Sequence, residues 1–104
     1  MDDLKSREIT EMADFFKVFG DFTRMQILVT LLKEELCVQC LTDLTEVSQS
    51  AISHQLRLLK ASGLVKARRE GKKMYYSLDD EHIKVILEVA REHVEHKKNG
   101  GSHV

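Results

Sequence analysis

The amino-acid sequence predicts a mainly α-helical fold with a small β-hairpin: a winged helix-turn-helix that assembles as a homodimer. Apolar residues recur at helical spacing along most of the chain, and the pattern changes to that of short β-strands after Gly63. Basic side chains are concentrated in the segment that spans this change. One aspartate and three histidines near the C-terminus are spaced in a way that predicts both a metal ion and a second copy of the chain.

Length and composition indicate a single domain. The chain has 104 residues, enough for one small core of leucine, isoleucine, valine and phenylalanine side chains. We expect residues 1–97 to form one winged-helix domain for DNA binding and dimerisation, and residues 98–104 to form a flexible tail. No apolar run approaches the ~20 residues of a membrane span, and the acidic start is not typical of a signal peptide. The sequence therefore predicts a cytoplasmic protein without a membrane partner.

Glycines and N-capping residues separate the predicted helices. A first helix ends at Gly20, and either Asp21 or Thr23 caps a second one. The last helix starts near Asp79 or Asp80. The apolar residues that follow helical spacing are Ile9, Met12, Ala13, Phe16 and Phe19 in the first helix, Met25, Ile27, Leu28, Leu31 and Leu32 in the second, and Ile83, Leu87, Ala90 and Val94 in the last.

A helix-turn-helix is predicted in the middle of the chain. A short helix across Cys40–Glu46 precedes a second helix, which is capped by Ser48 or Ser50 and ends at Gly63. The inward stripe of the second helix consists of Ile52, Leu56 and Leu59. Its outer face is left with polar side chains, which can hydrogen-bond base edges and phosphates in a major groove. These candidate DNA-binding residues are Gln49, Ser50, Ser53, His54 and Arg57.

The distribution of charge indicates that the chain binds a polyanion. Residues 1–46 carry a net charge of −5 and residues 79–104 a net charge of −2, whereas residues 47–78 carry +6, which gives the total of −1. This basic segment ends in two β-prone runs around Glu70-Gly71-Lys72, which predict a hairpin, the wing. Basic wing side chains can lie along phosphates or enter a minor groove. The candidates are Arg68, Arg69, Lys72 and Lys73, and the expected partner is double-stranded operator DNA.

Four side chains near the C-terminus have the spacing of metal ligands. His93 and His96 project from one face of a helix, and Asp80 and His82 lie eleven or more residues earlier, a rise of roughly 15–20 Å. Zinc bonds of about 2 Å cannot join the two pairs within one chain. Two such helices laid antiparallel across a two-fold axis would bring the pairs together between chains. The donor set suits Zn(II), with Co(II) as its substitute, and spacing alone allows Asp79 in place of Asp80.

An enzymatic function is not expected. The segment from His93 to His96 lacks the spacing of a zinc-protease helix, and a site with four protein ligands leaves no open position for water or a small-molecule substrate. The two cysteines leave an alternative open. Cys37 and Cys40 are a candidate secondary thiol site, through which a repressor of the same fold would sense oxidants or reactive sulfur species.

The chain resembles the ArsR/SmtB family of metal-sensing repressors in three segments: Asp21-Phe22-Thr23-Arg24, the stretch Ser48–Leu59 and the wing Leu64–Leu78. The resemblance extends over about residues 8–97. It implies a homodimer built by the first and last helices, in which the apo protein blocks transcription and metal releases it. The Asp-x-His and His-x-x-His pattern is similar to the site of the zinc- and cobalt-sensing branch, which implies that Asp80, His82, His93 and His96 are the ligands.

The cysteines depart from the family pattern. Glu35-Leu36-Cys37-Val38 is similar to the start of a second family site for thiophilic ions, in which the next cysteine follows two residues after the first. Here that position is Gln39, and Cys40 follows instead. Two thiolates alone make an incomplete site, so the sequence does not favour the sensing of arsenic, cadmium or lead.

Overall fold

A computed structural model of the chain describes residues 3–98, which form five helices and three strands. The helices are α1 (Asp3–Phe19), α2 (Phe22–Thr30), α3 (Val38–Leu44), α4 (Gln49–Ala61) and α5 (Glu81–Lys98), and the strands are β1 (Leu36–Cys37), β2 (Val65–Glu70) and β3 (Lys73–Leu78). None of these helices is long and apolar enough to cross a membrane. The predicted tail, apart from Lys98, lies outside the described residues.

The hydrophobic core lies where the helices meet the base of the wing. The largest fully buried side chains are Ile27, Leu28, Leu41, Ile52, Leu56, Leu59, Leu64 and Val65. Ile83 and Leu87 of α5 belong to the same cluster, so the last helix shares a core with α4. Ala90 and Val94 continue the predicted stripe of α5, but they are exposed. The C-terminal half of α5 therefore presents apolar surface that the described residues, 3–98, leave exposed.

Side chains and a glycine set both ends of α4. Ser48 is the N-cap, and its hydroxyl accepts a hydrogen bond from the Ala51 N–H at 3.2 Å. At the other end Gly63 has a φ of 77°, and the Leu64 N–H donates to the Leu59 carbonyl at 2.9 Å. This is the Schellman motif, which favours glycine because a Cβ is strained at positive φ. Both predicted boundaries of this helix are confirmed.

The wing is a three-stranded antiparallel sheet in the order β1-β3-β2. Strands β2 and β3 form the predicted hairpin, with a loop of Gly71 and Lys72. Gly71 has a φ of 65° and Lys72 has no positive φ, a combination expected of a type II′ turn. Strand β1 was not predicted. It pairs with Tyr75 and Tyr76 of β3, and its two residues are too few to show a β period.

Helix α3 begins two residues earlier than predicted and ends at Leu44 instead of Glu46. The prediction of a helix across Cys40–Glu46 is therefore corrected. Cys37 Sγ accepts a hydrogen bond from the Cys40 N–H at 3.4 Å, so a cysteine takes the place of the N-cap. Thr45 has an extended backbone, and its hydroxyl donates to the Leu41 carbonyl at 2.7 Å, which ends the helix. The resulting order of elements is that of a winged helix-turn-helix, as predicted.

Helix α1 exposes much of its apolar stripe. Phe19 is buried, and Phe15 and Val18 pack against the core, whereas the side chain of Phe16 is 51% exposed. The other exposed large apolar residues of this helix are Leu4, Ile9 and Met12. The radius of gyration of 15.8 Å exceeds the roughly 13 Å of a compact domain of this length. Both measures describe helices that extend beyond the core of one chain.

Candidate nucleic-acid interface and metal centre

The outer face of α4 carries the polar residues that the sequence singled out. Ile52, Leu56 and Leu59 are buried and fix the rotation of the helix. This rotation leaves Gln49, Ser50, His54 and Arg57 exposed and Ser53 half-buried. None of the five belongs to the buried core cluster. The face therefore combines hydroxyl, amide, imidazole and guanidinium groups, which are the donors and acceptors that read base edges and phosphates.

One arginine outside the predicted interface ties α4 to the first two helices. The Arg24 Nε–H donates to Gln55 Oε1 at 2.9 Å, and its Nη1 donates to the Val18 carbonyl at 3.5 Å. The Arg24 backbone N–H also donates to the capping carboxylate of Asp21 at 3.0 Å. These bonds position α4 relative to α1 and α2. This contact could not be predicted from the sequence, because 31 residues separate Arg24 from Gln55.

The four basic residues of the wing differ in their surroundings. Lys72 and Lys73 lie at the exposed turn of the hairpin, and Arg69 is exposed on β2. In the part of the chain that the structure describes, Arg69 has no ion pair or side-chain hydrogen bond. Arg68, in contrast, forms an ion pair with Glu35, in which Nη2 lies 2.7 Å from Oε1. Glu35 was not predicted to lie near the DNA interface, but its carboxylate neutralises the charge of Arg68, one of the predicted DNA contacts.

Asp80 forms the N-cap of α5. Its Oδ1 accepts a hydrogen bond from the Ile83 N–H at 3.1 Å, and this bond is the main reason why the pKa of Asp80 is lowered. The other oxygen, Oδ2, lies 3.5 Å from Nδ1 of His82, whose side chain is 92% exposed. The first predicted pair of ligands is therefore in contact and reaches solvent. Asp79 shares neither of these contacts.

His93 and His96 form the second pair near the other end of α5. Both are exposed, and together with Val89 and Glu92 they line an open cavity of about 420 Å³. Within residues 3–98, no three histidine, cysteine, aspartate or glutamate side chains of one chain come close enough to hold a metal ion. The structure thus brings each predicted pair together and keeps the two pairs apart. Imidazole nitrogens with a carboxylate oxygen are the donor chemistry that Zn(II) accepts.

The two cysteines lie side by side where β1 enters α3. Their sulfurs are 3.2 Å apart, and both thiols are free. The Cys40 N–H, and after it the Cys40 thiol, lower the pKa of Cys37, and the contact with Cys37 raises the pKa of Cys40. Cys37 is therefore the more acidic thiol of the pair. It also lines a cavity of about 250 Å³ with Gln49 of α4 and Lys73 of the wing.

Comparison with known proteins gives a consistent family. Residues 21–67 match the family model described as bacterial regulatory protein, arsR family. A cadmium resistance transcriptional regulatory protein CadC homolog of Staphylococcus aureus is 46% identical over 89 residues, which cover 85% of this chain and 74% of that relative. A transcriptional repressor SmtB homolog of Synechocystis sp. is 41% identical over 85 residues, which cover 82% of this chain but only 64% of the relative.

A solved structure extends this similarity to the fold. The homodimeric winged helix-turn-helix DNA-binding domain of a Mycobacterium bovis protein, determined by NMR, superposes with a TM-score of 0.88 at 27% sequence identity. The superposition covers 100% of this chain and 96% of that domain. The similarity therefore includes α1, α5 and the wing, which lie wholly or partly outside the segment matched by the family model.

Proposed function

The chain belongs to the ArsR/SmtB family of transcriptional regulators, and from that premise we propose that it is a zinc-responsive repressor. It binds operator DNA as an apo homodimer, and Zn(II) bound at two sites between the subunits releases it. The family consists of regulators and not of enzymes, in agreement with the expectation from the sequence. We place its action in the cytoplasm, where operator DNA is accessible.

The exposed face of α4 and the basic turn of the wing support DNA binding. Helix α4 is anchored at both ends and along its buried side, so its outer face is presented in one orientation. The basic side chains Arg69, Lys72 and Lys73 have no ion pair within residues 3–98, and they lie at the end of a hairpin that can follow the phosphate backbone. We assign base contacts to Gln49, Ser50, Ser53, His54 and Arg57 and phosphate contacts to these wing residues.

The uncovered apolar surfaces of α1 and α5 support a homodimer. Exposed large apolar side chains that lie along the same two helices are typical of a surface that binds another protein chain. A further open cavity of about 410 Å³ between α2 and α5 is lined by Arg91, Glu95 and five apolar residues, which are Met25, Val29, Leu87, Ala90 and Val94. A second copy of the chain is the occupant that we propose, in keeping with the homodimer described for the Mycobacterium bovis domain.

The position of the two ligand pairs on α5 carries the metal proposal. Asp80 and His82 lie at the start of the helix, and His93 and His96 lie on its exposed C-terminal half. Asp80 and His82 of one chain would hold the ion with His93 and His96 of the other. Bound Zn(II) would supply coordination bonds that join the two subunits.

The shared core provides a path from the metal site to DNA. Ile83 and Leu87 of α5 pack in the same cluster as Leu56 and Leu59 of α4. A change in the position of α5 is therefore transmitted to α4 through close-packed side chains. A dimer fixed in a different arrangement no longer fits two successive major grooves, and a coupling of about 1–3 kcal/mol or more per site is expected for such a device.

Relatives named for cadmium and arsenical resistance favour a metal as the signal over oxidants or sulfur species. The thiol-sensing alternative is therefore not the function that we propose. It nevertheless provides a control, because Cys37 and Cys40 lie far along the chain from the ligands of α5. A protein that carries both Cys37→Ser and Cys40→Ser should retain its full response to zinc.

The test is a titration of fluorescent operator DNA, obtained by in vitro selection with the apo protein, in the absence and presence of Zn(II). We expect zinc to weaken the binding of wild-type protein by about tenfold or more. His93→Ala should bind the same DNA in the apo state and lose the zinc response. Unimpaired zinc release in this variant, or weaker apo binding, would contradict the proposed division between ligands and DNA contacts.

A further inference from the structure

We infer that Arg68 positions the wing and does not contact DNA, an inference that rests on the proposed DNA-binding function. Sequence pattern alone placed Arg68 among the phosphate contacts of the hairpin. The structure gives it two carboxylate partners and an aromatic ring within its own chain. We use the word strap for the three residues Glu35, Arg68 and Tyr75 and the contacts of Arg68 with the other two.

Arg68 binds Glu35 in the two-pronged geometry that is strongest for an arginine and a carboxylate. Its Nε lies 2.9 Å from Oε1 and 2.8 Å from Oε2 of Glu35, and its Nη2 lies 2.7 Å from Oε1. Its Nη1 lies 3.5 Å from Oε2 of Glu70. The nitrogens on both sides of the guanidinium are therefore directed at carboxylates. The hydrogen bond to Arg68 is the main cause that lowers the pKa of Glu35.

One face of the same guanidinium stacks on an aromatic ring. The central carbon of Arg68 lies 5.1 Å from the centroid of the Tyr75 ring, within the range of a cation–π contact. A phosphate contact by Arg68 through Nε or Nη2 would require these nitrogens to leave Glu35. It would also leave the Glu35 carboxylate without a partner next to an anionic surface. The cost of that exchange opposes a role in DNA contact.

The strap crosses the whole sheet. Arg68 is opposite Tyr75 in the pairing of β2 with β3, and Cys37 is opposite Tyr75 in the pairing of β1 with β3. Glu35 directly precedes β1, and β1 leads without a break into α3. The contacts therefore join the outer strand of the wing to the segment that begins the helix-turn-helix. Such a connection fixes the direction of the wing relative to α4.

Arg69 provides the matched comparison. It is the next residue on β2, has the same charge and is exposed, but it has no ion pair or side-chain hydrogen bond within the described residues. Adjacent residues of a strand point to opposite faces of the sheet. Arg68 and Arg69 therefore differ in surroundings and not in chemistry, so the same substitution at both positions separates a positioning role from a phosphate contact.

The first experiment measures the affinity of the apo dimer for its selected operator duplex as a function of salt. The slope of log K against log salt is negative, and each lost phosphate contact reduces its magnitude by about 0.9, so two equivalent arginines account for about 1.8 per dimer. We expect Arg69→Gln to show this loss. Arg68→Gln should keep the wild-type slope while its affinity falls about two- to tenfold, the range expected for losing two exposed ion pairs. A reduced slope in Arg68→Gln would overturn the inference.

Glu35 gives the sharper distinction, because the two roles predict opposite signs. Removing its charge frees Arg68, so Glu35→Gln strengthens DNA binding if Arg68 is a phosphate contact. It weakens binding if the strap positions the wing. The variant with both Glu35→Arg and Arg68→Glu has the wild-type net charge and a reversed pair. We expect it to bind DNA more tightly than Arg68→Glu alone, whereas a phosphate contact would not be rescued.

A second measurement needs no DNA and keeps the two proposals distinguishable. Amide hydrogen exchange of β2 and β3, followed by NMR, should become faster to the same extent in Glu35→Gln and Arg68→Gln, because both variants break the strap. Arg69→Gln should exchange like the wild type. Unchanged protection in the two strap variants overturns the positioning role. If the wild-type protein bound no duplex at all, the proposed function would fail, and the exchange data would still decide whether the strap holds the wing.

Discussion

At the scale of the residue, the two carboxylate oxygens of Asp80 have different partners. Oδ1 accepts the Ile83 N–H and so begins α5, while Oδ2 faces Nδ1 of His82. The capping bond fixes the orientation of the carboxylate before any ion is present. Asp80 can therefore cap the helix with one carboxylate oxygen and serve as the proposed metal ligand with the other.

Two substitutions separate the cap from the ligand. Asparagine caps a helix as well as aspartate does, so we expect Asp80→Asn to retain the thermal stability of the apo protein and to bind Zn(II) more than about tenfold more weakly. Asp80→Ala should lose both properties, with Tm lower by about 3–8 °C. Calorimetry and zinc competition measure the two effects. Equal zinc affinity in Asp80→Asn and the wild type would exclude this carboxylate as a ligand.

The two hydrogen bonds at Cys37 make a prediction about its titration. Cys40→Ala removes the neighbouring thiol but keeps the backbone N–H, which is the larger cause of the lowered pKa. The pKa of Cys37 should therefore rise in this variant and remain below that of an ordinary cysteine. Since the thiolate is stabilised only in the folded protein, this contribution to stability is present above the unfolded pKa and is lost as pH falls through the folded one.

The ¹³Cβ chemical shift of Cys37, followed as a function of pH, measures this effect. The control is the same titration with Cys37 in the wild-type protein. A pKa in Cys40→Ala equal to or lower than that of the wild type would show that the Cys40 thiol does not stabilise the thiolate.

At the scale of the element, local chemistry determines where the helices begin and end. Ser48 and Gly63 mark the two ends of α4. The hydrogen bonds at both ends join residues that are close in sequence, so these boundaries could be predicted. The start of α3 could not, because cysteine is not among the usual capping residues and Cys37 is nevertheless the cap. Strand β1 escaped prediction because its partners Tyr75 and Tyr76 lie almost forty residues away.

The turn after α4 gives a test of this local chemistry. Apart from Gly63 and its two chain neighbours, none of the described residues has an atom within 4 Å of the position that a Cβ would take on Gly63, so the effect of Gly63→Ala comes from its φ of 77° and not from a clash. We expect a loss of about 1 kcal/mol in the free energy of unfolding. Gly20→Ala is the control: its φ is not positive and its Cβ would make an ordinary contact at 3.4 Å. Equal stability of the two variants would show that the backbone at Gly63 relaxes freely.

The candidate site shows the same division between local and distant information. The polar face of α4 and the spacing of the histidines could be predicted because each is a repeat along one helix. The partner of Arg68 could not, since 33 residues separate it from Glu35. The sequence therefore identified Arg68 by its charge and assigned it to DNA, whereas the fold places it in contact with two carboxylates and the ring of Tyr75.

At the scale of the whole molecule, α1 and α5 carry apolar surface that stays exposed in the described part of one chain. Phe16, Val89 and Val94 are all more than half exposed. A domain of this size has little core to spare, so association of two copies would stabilise each of them. The metal proposal depends on the same association, because in that proposal each chain supplies only half of each site.

A charged residue on the α1 surface should separate the subunits. We expect Phe16→Glu to sediment as a monomer at concentrations where the wild type is a dimer, because a carboxylate would be buried at the interface. The same variant should lose high-affinity zinc binding although all four ligands are intact. Leu44→Glu on α3 is the control, since Leu44 is 62% exposed outside both helices. If Leu44→Glu were monomeric, the dimer interface would lie at the helix-turn-helix and not at α1 and α5.

The most direct test of the central claim is a mixed dimer of two ligand-deficient chains. One chain carries Asp80→Ala and His82→Ala, the other carries His93→Ala and His96→Ala, and two different affinity tags isolate the mixed species. If each site is shared between subunits, neither homodimer binds Co(II) in tetrahedral geometry, but the mixed dimer regains one of its two sites. We therefore predict visible d–d absorption of about half the wild-type intensity per chain, which Zn(II) abolishes. The account would be contradicted if the mixed dimer showed no tetrahedral Co(II) absorption. It would also be contradicted if either homodimer absorbed as strongly as the mixed dimer.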